Sequence, residues 1–98
     1  MATFMLMTKL SPELTSMMKD RAYLGRAWLE EVKEKCPGVK FVAHYGLLGP
    51  FDFCDIYEAP DSETAAKVSM ISLKNGAIQA ESWLALPYKK VLEIAGEI

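Results

Sequence analysis

The chain contains one histidine, His44, and that limits its chemistry from the outset. No His–His metal pair and no two-histidine relay can form within one copy. A lone imidazole can still serve as a base or an axial ligand. Its competing role is that of a hydrogen-bonded structural histidine. Alternation along Val39–Leu48 sets His44 opposite Phe41 and Tyr45. If those aromatics meet the helices, His44 faces the space behind the sheet.

The carboxylates divide in the same way. Asp52 and Asp55 lie three residues apart in one extended segment, so they point to opposite faces and cannot act as a paired carboxylate site. Asp52, with Cys54 and Ile56, is the better pocket candidate. Its competing role is to pair with a cation or to hold the hairpin turn through backbone N–H groups, and this is the preferred one. His44 and Asp52 are therefore the catalytic candidates, with Glu81 a further proton-placing group. Gln79, Glu81 and Trp83 recur at period two in another strand, and Met5 and Met7 are expected on the same face. Two polar groups beside an indole resemble the wall of a small-molecule pocket. They suit a wet dimer rim equally well. Most of the six methionines are expected to fill gaps in the core.

Cys36 and Cys54 make no paired knuckle, and a metal site would need more Cys or His. Two reduced thiols fit a cytoplasmic protein, with Cys36 closing a helix and Cys54 in a strand as a small hydrophobe. No Gly-rich phosphate loop, nucleophile elbow or acidic metal cluster is present. Nothing calls for a cofactor.

The elements that must position these groups follow from periodicity. Ala2–Leu10 reads as a strand that is apolar on both faces. Ser11-Pro12 starts a helix, Ser as cap and Pro at the first helical position. Leu14, Met18, Ala22, Gly25, Leu29, Val32 and Cys36 form its inward stripe, widened by Trp28. Asp20 can recap the chain and break it there, and Pro37-Gly38 ends it. Val39–Leu48 and Phe51–Glu58 flank the Gly49-Pro50 turn as a hairpin. Asp61 or Ser62 caps a helix that turns Ala65, Val68 and Ile71 inward and ends at Asn75-Gly76. Ala77–Leu86 is the last strand. Beyond Pro87, the residues Tyr88, Val91, Leu92, Ala95 and Ile98 fall at helical spacing.

The order β-α-β-β-α-β with a short C-terminal helix predicts an α+β fold, the ferredoxin-like plait, over residues 1–98 as one domain. Its helices cover one face of an antiparallel sheet, so the other face should alternate cleanly with polar residues. It does not. Met5, Met7, Cys54, Ile56 and Trp83 have no third long helix to cover them. Burying about 500 Å² more apolar surface per chain is worth roughly 12 kcal/mol before entropy costs. A homodimer joined sheet to sheet, or a higher homo-oligomer, is expected.

Gly49-Pro50-Phe51-Asp52-Phe53-Cys54-Asp55-Ile56-Tyr57-Glu58-Ala59-Pro60-Asp61, followed by Glu63-Thr64-Ala65-Ala66, resembles the GYD-domain proteins. The likeness extends more weakly through the opening strand and Glu81-Ser82-Trp83. Phe51 stands where the signature has Tyr, so no phenolic hydroxyl is available there. The resemblance implies a ferredoxin-like plait of the dimeric α+β barrel type. It implies little about activity, because related barrels include ligand sensors, monooxygenases and isomerases.

Composition narrows the partners. Eleven Lys+Arg against thirteen Asp+Glu give a net charge of −2, without the basic footprint of a nucleic-acid binder. No apolar run approaches the ~20 residues that span a bilayer. The leading expectation is a cytoplasmic homodimer that binds a small, mostly apolar ligand between sheet and helices. The alternatives are a small enzyme of the monooxygenase or isomerase kind, and an assembly module without a ligand.

Overall fold

A computed structural model describes Met1–Ile98. Strand β1 (Ala2–Leu10) pairs antiparallel with β3 (Phe53–Ala59) on one side and with β4 (Ala77–Ala85) on the other. Strand β2 (Lys40–Gly46) adds to β3, giving the order β2-β3-β1-β4. This is the expected α+β architecture, a ferredoxin-like plait with a short C-terminal helix. The two central strands, β1 and β3, contain nearly all of the buried residues of the sheet, because each is flanked on both sides.

Helix α1 (Pro12–Ser16) begins as its sequence requires, with Ser11 Oγ accepting the Leu14 N–H at 3.3 Å. A 3₁₀ turn at Met18–Asp20 then separates it from α2 (Arg21–Lys35). The break falls where Asp20 suggests it, but the Asp20 side chain caps nothing. The inward stripe is only partly realised. Val32 and Cys36 are buried, whereas Met18 and Ala22 are exposed. Helix α2 is thus seated at its C-terminal end, while Leu24, Gly25 and Leu29 line an open space.

Helix α3 (Ser62–Lys74) is capped by Asp61, whose carboxylate accepts the Thr64 N–H at 2.7 Å. Gly76 follows it with φ +100°, a conformation that favours glycine. A Cβ there would also run into the side chain of Leu14. The core between helices and sheet is built on Phe4, Leu6, Val32, Tyr57, Val68 and Ile71. Phe4 stacks on Tyr57 with ring centroids 5.6 Å apart.

Both edge strands are bulged. In β2 the register jumps between Phe41, opposite Tyr57, and Ala43, opposite Ile56. Val42 is the extra residue, so Phe41 and His44 share the helix-covered face while Tyr45 points away. Strict alternation placed His44 behind the sheet, and the bulge corrects that placement. In β4 the register shifts opposite Lys9 and Leu10, which brings Ala77 to the face of Ala80 rather than that of Trp83. The outer face carries Met5, Met7, Cys54, Ile56, Glu81 and Trp83. Phe51 meets Trp83 edge-on at 5.9 Å across β1, and Met7 is buried.

Helix α4 (Tyr88–Ala95) is exposed along its whole length, with Tyr88, Val91, Leu92 and Ile94 open to solvent. No helix is long and apolar enough to cross a membrane.

Candidate functional site

The poor seating of α2 leaves a cavity of about 360 Å³ between its N-terminal half and the sheet. Leu10, Leu14, Leu24 and Leu29 supply half of its apolar lining residues, with Trp28 and Phe53 the large aromatic ones. Trp28 Nε1 donates to Ser72 Oγ at 2.9 Å and ties α2 to α3 beside the cavity. The two bulges matter here, since His44 and Ala77 line the space only because the edge strands change phase.

His44 and Asp55 face each other across β2 and β3, with His44 Nδ1 2.6 Å from Asp55 Oδ1. The Asp55 side chain is 12% exposed and the imidazole about half exposed at 48%. Burial pushes the Asp55 carboxyl above its ordinary range, and the bond to His44 works against that rise. With Asp55 ionised, Nδ1 is the donor and Nε2 is left to accept or hold a proton. Phe41 packs against the imidazole with ring centroids 5.1 Å apart. The pair can therefore orient a polar ligand group or move one proton.

Arg21 lines the cavity as well. Its guanidinium carbon lies 5.3 Å from the centroid of the Phe53 ring. Its Nη1 is buried without a hydrogen-bond partner. Sequence reasoning missed Arg21, which reads as an ordinary polar residue at a helix start, and it set Asp55 aside in favour of Asp52. The cross-strand position of Asp55 opposite His44 becomes visible only once Val42 is recognised as a bulge.

The remaining candidates lie elsewhere. Asp52 accepts the Leu10 N–H at 2.8 Å, and its own N–H donates to Thr8 O at 2.8 Å, so it holds the strand junction. Glu81 accepts from Trp83 Nε1 at 2.8 Å and from Gln79 Nε2, and these bonds keep its carboxyl low. Gln79, Glu81, Trp83, Met5 and Met7 share the outer face as expected, and none of them lines the cavity. Cys36 and Cys54 are free and buried, and burial raises both thiols. No group of three His, Cys, Asp or Glu side chains converges to hold a metal ion.

The plait with a helix–sheet cavity belongs to a class of small α+β domains whose chemistry is set by what lines that space. The chain matches the GYD domain over residues 4–95 and belongs to that family. It is also similar to a protein of Thermus thermophilus described as glutamine synthetase and cystathionine beta-lyase binding protein. The two are 36% identical over 50 residues, which is 51% of this chain and 53% of the relative. The match thus spans about half the length of that relative. No solved structure matches the chain at a significant level.

Proposed function

We propose that this chain is a small binding protein that pairs with a second copy through the outer face of its sheet. In each copy the cavity between α2 and the sheet holds a small, mostly apolar ligand. The cavity itself carries this reading, since about 360 Å³ lined by four leucines, Trp28 and Phe53 is room for a small, mostly apolar ligand. Its walls forgo dispersion contacts that an apolar guest restores. Pairing is supported by Met5, Ile56 and Trp83, which place apolar surface on a face that no helix of the same chain covers. Two buried free thiols support a reducing, cytoplasmic setting.

Titration with benzyl alcohol, an uncharged probe, tests the cavity. The indole N–H resonance of Trp28 should shift saturably, and Leu24→Trp, which fills the space, should abolish the shift. An unresponsive Trp28 would count against the reading. Light scattering tests the pairing, which a stable mass of 10.9 kDa would refute.

A second reading is favoured by the name of the Thermus relative and by the apolar side chains that α4 presents to solvent. In it the chain docks onto another protein, with α4 as the contact. Co-elution with purified glutamine synthetase or cystathionine beta-lyase, lost in Leu92→Glu, would support it. Independent elution from both enzymes would oppose it.

A further inference from the structure

We infer that the cavity takes a small monocarboxylate, with its anionic head on Arg21 and its apolar body against the leucines. This rests on the cavity being a ligand site, as proposed above, and specifies the chemistry of the occupant. Arg21 Nη1 is the one buried side-chain polar atom in the molecule that lacks a hydrogen-bond partner. A buried donor without an acceptor is costly, more so on a charged group. None of the four ion pairs relieves it.

Local charge has the same sign. Arg21 and Arg26 both line the cavity, and its sole carboxylate, Asp55, is engaged by His44. The first turn of α2 contains no acidic residue that could answer Arg21. The guanidinium is also held in place. It lies over the Phe53 ring, 5.3 Å from the centroid. Such a fork matches a carboxylate, which accepts two parallel N–H bonds. Arg26 is exposed to solvent, and Arg21 alone leaves a buried donor unpaired, so one anionic head on an apolar body fits better than a polyanion.

Phenylacetate and its uncharged isostere phenylacetamide separate the possibilities when each is titrated against the purified protein at neutral pH. The Trp28 indole resonance reports both. Phenylacetate should bind about tenfold tighter or more, the size of one charge-assisted hydrogen bond. Arg21→Gln should remove that preference and leave phenylacetamide unchanged, while Arg21→Lys should retain part of it. Equal affinities in the unmodified protein, or a preference that survives in Arg21→Gln, would overturn the carboxylate and leave the cavity reading standing. Silence of Trp28 toward both probes would overturn both. The comparison within the unmodified protein decides the matter even if an Arg21 variant fails to fold.

Discussion

The polar groups on the two faces of the sheet find their partners over very different distances along the chain. On the helix-covered side Tyr57 meets Ser82 at 2.7 Å, His44 meets Asp55 and, between the helices themselves, Trp28 meets Ser72, the partners standing 25, 11 and 44 positions apart in sequence. On the outer face Glu81 is bonded by Gln79 and Trp83, each two residues away. Long-range pairs exist only once the fold has formed, so they report and fix its geometry. Local pairs form on any extended strand and fix nothing beyond it. The outer face is thus a surface with its own polar groups settled and its apolar groups open, which suits it to association. The inner face holds its polar groups in set positions around a space, which suits it to recognition.

The largest expected effect comes from two neighbours on β1. Leu6 is fully buried on the inner face, and Leu6→Ala should cost about 3 kcal/mol in denaturant unfolding. Met5→Ala, one residue away on the outer face, should cost about 1 kcal/mol or less once the protein is dilute enough to be monomeric. Comparable losses would mean that the outer face is covered within a single chain. Next in size is Ile56→Glu, which places a charge on the outer face and should halve the mass seen by light scattering with little loss of secondary structure. An unchanged mass would show that the sheet face is not where copies meet.

The smallest effect concerns the buried carboxylate and depends on pH. Because burial raises the Asp55 carboxyl above its unfolded value, the folded state holds that proton more tightly than the unfolded state does. Its contribution is full below the unfolded value and is lost as pH rises through the folded one. Asp55→Asn should therefore be the more stable protein at neutral pH, and its advantage should shrink as the solution is acidified through the carboxyl range. Thermal melts across that range measure it. An advantage that grows on acidification would mean that the bond to His44 outweighs burial.

Glu31 shows the opposite sign on the exposed side of the helices. Bonds from Lys35, Lys74 and Asn75 bring its carboxyl down to about 2. The tie it makes between α2 and the end of α3 is therefore present above the unfolded value of 4.5 and fades as pH falls toward 2.

Much of the fold is legible in the amino-acid sequence because its signals are local. Ser11-Pro12, Asp61 and Asn75-Gly76 mark helix ends through hydrogen bonds to nearby backbone, and they act where they stand. The β-α-β-β-α-β order follows from those marks. The candidate site is less legible. Phe41, Val42 and Ala43 are all compatible with a regular strand, so no residue announces the bulge that turns His44 toward the helices. Leu24 and Leu29 look like ordinary core positions, and the cavity shows only in the structure, where both stay half-buried and line it. Asp52 carries the hydrogen bonds of a strand junction, a role that the turn residues beside it do suggest.

The extra residue in β2 has a consequence for how such domains diversify. Point substitutions change the chemistry of a wall one side chain at a time. Loss of Val42 would close the bulge and leave every other pair in register, with Phe41 still opposite Tyr57 and His44 still opposite Asp55. The edge strand can therefore shed its extra residue and keep its proton-bearing wall, so length at this point and the chemistry of the cavity are free to vary separately.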